Sequence, residues 1–267
     1  MENKLLKVAV SGACGKVGRE MVRAVVNAPD LHLVGAMDLV HQGKDIGQVI
    51  GLGPQFVTVT GSLEEVFSQE PDVIIDFTNA KAAFALITAA VARGIAVVSG
   101  TTGLSPQQLE EIRRLCDQHR VGAVLAPNFA LGAVLMMKLS QEVAKWFPDA
   151  EIIELHNPHK LDAPSGTALR TADLIRAQWE AHGMEKAASA GTEHPARGDR
   201  TRGLPIHSVR LPGVVAHQEV IFGGLGQTLI IRHDSYTRES FVPGVMLAVR
   251  KVKELKGVVY GLENLIF

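Results

Sequence analysis

Between Glu154 and Ala168 the chain reads ELHNPHKLDAPSGTA, which puts His156, His159, Lys160, Ser165 and Thr167 into one short connection. Histidine exchanges a proton near neutral pH, and lysine carries a compact charge with three donors. Ser165, Gly166 and Thr167 read as the opening of a helix, whose free amide donors and flanking hydroxyls suit a carboxylate, with Lys160 as its cation. Two plainer readings stand beside this one: an ordinary capped helix with a surface histidine pair, and a metal site using Glu154, His156 and His159. No further Cys or His group at ligand spacing completes the metal set.

A phosphate-binding pattern lies near the N-terminus. The run VAVSGACGKVG places Gly12, Gly15 and Gly18 where a first strand turns into a first helix. Such glycines permit a tight turn, the approach of a pyrophosphate and close helix packing, while the helix N-terminus offers amides and partial positive charge. The spacing is GxxGxxG, one residue off the usual GxGxxG, so its position at the junction carries the reading more than the pattern does. Asp38 closes the second strand 20 residues after Gly18, where an acid holds ribose hydroxyls. Leu39 follows it, so no arginine adjoins to pair with a 2'-phosphate, which the carboxylate repels. NADH is therefore the expected cofactor, with Lys16 permitting dual use of NADPH. Gly100-Thr101-Thr102-Gly103 follows the fifth strand, on the expected nicotinamide side.

The elements that must position these groups alternate between strand and helix. Strands are expected at Leu5–Val10, Leu31–Met37, Phe56–Val59, Val73–Phe77, Ala96–Ser99 and Val121–Leu125, with helices at Lys16–Asn27, Ala80–Arg93 and Pro106–His119. The last helix opens with Ser105, Pro106 and Gln108, a capping box with proline at the first helical position. After Asn128 the texture changes to a helix over 131–147, a strand over 151–155 and a helix over 167–182. Strands at Ile206–Arg210, Val214–Phe222 and Gln227–His233 then form an antiparallel or mixed part, and a final helix spans Arg238–Lys253. Gly183–Gly203, polar and with three arginines, reads as a mobile loop able to close over a ligand.

Composition excludes other classes. At about 150 residues per domain, 267 residues make roughly 1.8 domains. With 46% hydrophobic and 21% charged residues the chain is neither disordered nor a disulfide-stapled mini-protein. The balance of 27 Lys+Arg against 28 Asp+Glu offers no field for nucleic acid or an anionic membrane. Cys14 and Cys116 lack CxxC spacing and fit reduced core thiols. The acidic, lysine-broken N-terminus does not read as a signal peptide, and the longest uncharged run, Val121–Met137, is too short to span a bilayer. A soluble cytoplasmic protein is expected.

The two motifs together resemble one family, the 4-hydroxy-tetrahydrodipicolinate reductases (dihydrodipicolinate reductases) of the diaminopimelate route to lysine. The likeness spans essentially the whole chain, through GACGKVG, DFT from Asp76, GTTG from Gly100, APNFALG from Ala126, the long histidine motif, IHSVRLPG from Ile206 and HDSYTRESF from His233. It implies an α/β fold with an N-terminal Rossmann dinucleotide-binding domain (1–127 and 237–267) and a smaller α+β domain (128–236) for substrate binding and tetramerisation. It implies a homotetramer reducing its cyclic dicarboxylate, with loss of water, at the expense of NADH or NADPH.

By that resemblance, Gly12, Ala13, Cys14, Gly15, Lys16, Val17 and Asp38 lie along the cofactor. Phe77, Thr78, Gly100, Thr101, Thr102, Ala126, Pro127, Asn128 and Phe129 belong near its nicotinamide end. His156 is similar to the family's proton donor and Lys160 to the cation that works with it. Thr102, Asn157, Lys160, Ser165, Gly166 and Thr167 correspond to substrate-binding positions, and no metal is implied. The sequence departs from the common pattern at Asn157, where many members carry a second histidine, and at Ala130, where serine is frequent.

Competing readings are another two-domain NAD(P)-dependent dehydrogenase and a non-catalytic NAD(H)-sensing protein. A homoserine or sugar dehydrogenase has no need of a carboxylate cradle, an aspartate-semialdehyde dehydrogenase needs a nucleophilic cysteine, and a sensor has no use for His156 beside Lys160.

Overall fold

A computed structural model describes residues 5–184 and 194–267. The first half alternates as expected: β1 (Leu6–Ser11), α1 (Gly18–Asn27), β2 (Leu31–Met37), α2 (Ile46–Ile50), β3 (Val59–Thr60), α3 (Leu63–Phe67), β4 (Val73–Asp76), α4 (Ala80–Ala92), β5 (Ala96–Ser99), α5 (Pro106–His119) and β6 (Ala123–Leu125). Then come α6 (Leu131–Val143), β7 (Asp149–His156), α7 (Gly166–Ala181), β8 (Ile206–Arg210), β9 (Ala216–Gly224) and β10 (Gln227–Ser235). The chain closes with α8 (Val242–Lys251), β11 (Val258–Tyr260) and α9 (Glu263–Ile266). Two compact units result, Met1–Phe129 with Phe241–Phe267, and Ala130–Ser240.

The first unit is a parallel sheet in the order β11-β6-β5-β4-β1-β2-β3. Its strands β3-β2-β1-β4-β5-β6 follow the doubly wound Rossmann order, which reverses direction between β1 and β4, the place where such sheets bind ligands. Val73, Ile74 and Ile75 of β4 are completely buried, as a strand covered on both faces must be. Helix α5 begins where its capping box lies: the Ser105 hydroxyl accepts from Gln108 N–H at 3.2 Å, and the Gln108 side chain accepts from Ser105 N–H at 2.9 Å.

Two expectations need correction here. The strand expected over Phe56–Val59 forms only at Val59–Thr60, because the Asp45 carboxylate takes the N–H groups of Gln55 and Val57, and exposed Phe56 adopts a left-handed φ of 59°. The helix expected over Arg238–Lys253 is neither continuous nor final. It starts as a 3-10 turn at Arg238–Phe241, becomes α8 just before Pro243, and is followed by β11, which pairs in parallel with β6.

The second unit is a mixed sheet in the order β10-β9-β7-β8, with β7–β8 parallel and the other pairs antiparallel. Ile152, Val220 and Phe222 share one fully buried face of it. Part of the expected loop 183–203, residues 185–193, lies outside the described residues. Its last part is anchored: Arg197 pairs with Glu151 of β7 at 2.5 Å, Arg202 with Asp173 of α7 at 3.4 Å, and Asp199 bridges to Ile206. Among the described residues no helix is long and apolar enough to cross a membrane.

Candidate active site

Backbone geometry explains the glycines of the first turn. Gly12 has φ +75°, and a Cβ there would meet the Phe77 carbonyl oxygen at 2.5 Å. A Cβ on Gly18 would collide with the Gly12 carbonyl, so the start of α1 can lie against the turn only as glycine. At the end of β2, Asp38 accepts from Cys14 N–H at 2.8 Å with one carboxylate oxygen and from Val40 N–H at 3.2 Å with the other. The acid is thereby pinned beside the glycine turn, which is the arrangement that holds an adenosine ribose. Lys16 is exposed on the turn, and the neighbours of Asp38 are the exposed apolar Leu39 and Val40. Burial, aided by the Asp38 charge, pushes the Cys14 thiol up to about 11, and burial pushes Cys116 up to about 12, so neither is a ready nucleophile.

A second group gathers at the carboxyl ends of β4, β5 and β6. Buried Asp76 accepts from the hydroxyls of Thr78 and Ser99 at 2.6 Å each and of Thr101 at 2.8 Å, tying the DFT and GTTG turns together. The Phe77 ring fills the space that a Cβ on Gly100 would need and packs edge-on against Phe129 at 6.1 Å between centroids. Gly12, Phe77, Thr78, Gly100, Thr101 and Phe129 are thus one contiguous cluster at the sheet edge, with Ala126 tethered to it through the Ser99 carbonyl at 3.0 Å. Thr102 and Pro127 are exposed alongside.

The second unit holds the histidine motif. His156 ends β7 with its ring half-buried, and its Nδ1 lies 2.5 Å from the carboxylate of Glu154. The Asn157 side chain accepts from His159 N–H at 3.1 Å and shapes the turn that follows. Lys160 extends to Asp162, 2.8 and 3.0 Å from its two oxygens, and this pairing holds the Asp162 carboxyl below its usual range. Ser165 caps α7: its hydroxyl accepts from Ala168 N–H at 3.2 Å and its own N–H goes to Glu154 at 3.2 Å. Its amide is therefore spent inside the protein, while exposed Gly166 meets nothing where a Cβ would stand and leaves room for a ligand. Ala130 occupies the N-cap of α6 with no side-chain cap.

This chain matches the family model described as dihydrodipicolinate reductase, N-terminus, over residues 6–129, and that described as dihydrodipicolinate reductase, C-terminus, over 132–266. The chain belongs to the dihydrodipicolinate reductase family. It is 51% identical to the 4-hydroxy-tetrahydrodipicolinate reductase of Moorella thermoacetica, with 98% of each chain covered, and 47% identical to that of Listeria monocytogenes, covering 98% of this chain and all of the relative. A dipicolinate-bound dihydrodipicolinate reductase from a Paenisporosarcina species superposes with a TM-score of 0.84 at 42% identity, covering 97% of this chain and 99% of the other. An amine dehydrogenase from Mycobacterium smegmatis, at 16% identity and a TM-score of 0.67, shares the fold.

Sequence reasoning passes over three participants in this site. Asp76 was visible only as part of DFT, Asp162 only as a residue between Lys160 and the helix cap, and Arg210 only as part of IHSVRLPG. Arg210 reaches Glu154 with both terminal nitrogens, at 2.9 and 2.8 Å, across 56 residues of chain. The one signal for it is strand register, which pairs His156 with Arg210. Glu154, weighed above as a metal ligand, instead satisfies His156, Arg210 and Ser165. No group of three or more His, Cys, Asp or Glu suited to a metal occurs among the described residues.

Proposed function

We propose that this protein reduces 4-hydroxy-tetrahydrodipicolinate, with loss of water, to tetrahydrodipicolinate on the diaminopimelate route to lysine. The observation that carries this reading is the connection from β7 to α7, where a proton donor, a lysine and the N-terminus of a helix stand within eleven residues, 156–166. Lys160 with the amides of Gly166 and Thr167 grips a substrate carboxylate, helped by the Ser165 hydroxyl and Asn157. Thr102 is a further substrate contact by family likeness.

Gly12, Ala13, Cys14, Gly15, Lys16 and Val17 hold the pyrophosphate, Asp38 the ribose, and the cluster around Phe77, Gly100, Thr101, Ala126, Asn128 and Phe129 the nicotinamide end. The glycine turn fits such a group because Gly12, Gly15 and Gly18 keep side chains off the junction of β1 with α1, where a helix N-terminus attracts an anion. A bound NADH or NADPH supplies the hydride. The added hydride leaves an electron-rich substrate, whose charge Lys160 offsets while His156 donates the proton that completes the reduction. Asp38 followed by Leu39 favours NADH, and exposed Lys16 supports dual use.

Oxidation of NADH by the purified protein, dependent on substrate freshly made from pyruvate and aspartate semialdehyde by the preceding synthase, tests the reading; a rate unaffected by substrate contradicts it. We also infer a cytoplasmic homotetramer assembled through the β7–β10 sheet. Ile230 of β10, on the face opposite the buried Phe222, supports this by being 53% exposed. Light scattering is expected to give four times the chain mass, and a monomer contradicts the assembly.

A further inference from the structure

We propose that Glu154 is the positioning residue for His156, fixing which ring nitrogen carries the transferable proton and tying that ring to the N-terminus of α7. The proposal deepens the functional reading above and rests on His156 being the proton donor.

Residues two apart on a strand project to the same face, so β7 sets Glu154 and His156 side by side. Glu154 is completely buried. A buried carboxylate survives as an ion only when its oxygens are satisfied and its charge is paired. Here each oxygen accepts at least twice. Oε2 takes His156 Nδ1 at 2.5 Å and Arg210 Nη1 at 2.9 Å, while Oε1 takes Arg210 Nη2 at 2.8 Å and Ser165 N–H at 3.2 Å. The Arg210 fork is bidentate, and it is itself held by the carbonyls of Val209 at 2.8 Å and Asp162 at 2.6 Å. Burial acts to raise the Glu154 carboxyl, but hydrogen bonds from His156, Arg210 and Ser208 outweigh it and hold the group at about 2.

An ionised carboxylate can only accept hydrogen bonds. Nδ1 of His156 must therefore donate to it, and Nδ1 keeps its proton whether the ring is neutral or charged. Nε2 is left as the nitrogen that gains and loses a proton. In the reduction, the Nε2–H bond breaks, its electron pair stays on the ring, and the proton joins the electron-rich substrate. The ring returns to the neutral Nδ1–H form and solvent reprotonates Nε2. Glu154 stays ionised throughout, and its second oxygen, through Ser165 N–H, fixes the carboxylate-binding helix start relative to the ring. The connection that follows β7 carries Lys160 and Asp162, while β8 places Ser208 and β9 places Gln218 opposite Glu154, the latter bonded to Thr171 of α7 at 2.8 Å.

Nitrogen-15 NMR of protein carrying labelled histidine tests the assignment without depending on turnover, the His156 signals being those lost in His156→Gln. At alkaline pH the wild-type ring is expected with protonated Nδ1 and bare Nε2; the opposite tautomer overturns the proposal. In Glu154→Leu, which leaves Nδ1 without its acceptor, the tautomer preference should be lost, and an unchanged preference overturns it equally. Kinetically, Glu154→Gln should lower kcat by about 10²-fold or more and enlarge the solvent deuterium isotope effect. Glu154→Asp should recover part of the rate. A Glu154→Gln enzyme with wild-type kcat and isotope effect contradicts the role. If Glu154→Gln does not fold, the wild-type tautomer still decides the outcome. A protein that shows the expected tautomer but no reductase activity would keep Glu154's role and refute the proposed function instead.

Discussion

The ammonium of Lys160 is held by the carboxylate of Asp162, 2.8 and 3.0 Å from its two oxygens. The same carboxylate is lowered in pKa first by Lys160 and also by the backbone N–H of Gly166. Asp162 thus engages two of the donors assigned to a substrate carboxylate, and it stands in for that carboxylate in the free protein.

Substrate must displace Asp162 from Lys160. Asp162→Asn should therefore lower the KM for substrate about two- to fivefold, the range for a partly exposed ion pair, with kcat little changed. Steady-state kinetics checks this, and a raised KM would show instead that Asp162 orients the lysine for binding.

His156 and Lys160 should separate in their kinetic effects. His156→Ala is expected to lower kcat by about 10²–10⁴ while still binding pyridine-2,6-dicarboxylate, a planar dicarboxylate probe. Lys160→Ala should lower kcat and also raise KM, by about tenfold or roughly 1.4 kcal/mol, and should weaken the probe in calorimetry. If both variants keep wild-type kcat, these roles are wrong.

Glu154 also makes a signature in acid. The group protonates near 4.5 when unfolded and near 2 when folded, so its stabilisation is full above about pH 4.5 and is lost as pH falls toward 2. Over that window the loss is about 3 kcal/mol. Denaturant midpoints for wild type and Glu154→Gln should differ most at neutral pH and converge in acid. A constant difference across that window counts against an ionised Glu154.

Much of the fold could be read from the chain, because its signals are local. Strands β2, β5 and β8 and helix α5 span the residues expected of them, on short segments rich in β-branched or aliphatic residues between turn signals, or on a complete capping box. Short elements escaped: α2 and α3 have five residues each, too few for a helical period to show, and β11 has three, between Gly257 and Gly261. The same divide runs through the site. Glycines, His156 and Lys160 announce themselves by type and spacing, whereas Arg210 meets Glu154 only through the pairing of β7 with β8, and Asp76 becomes a hub only when β4 and β5 align Asp76 with Ser99. Such partners depend on register, which no local pattern encodes.

Cofactor choice follows from the surroundings of Asp38. With its carboxylate pinned beside the turn and Leu39 following it in the chain, kcat/KM for NADH should equal or exceed that for NADPH. An NADPH advantage of about tenfold, roughly 1.4 kcal/mol, would contradict this. Lys16→Ala should reduce use of NADPH more than use of NADH.

The central claim is that hydride passes to a cyclic dicarboxylate from a cofactor seated on the Gly12 turn. It is tested most directly with NADH bearing deuterium at both hydrogens of nicotinamide carbon 4, and mass spectrometry of the product made from synthase-generated substrate. A single deuterium is expected in each tetrahydrodipicolinate formed, with the same content but much slower formation in His156→Ala. Product without deuterium, or cofactor oxidation that leaves the substrate unreduced, would contradict it.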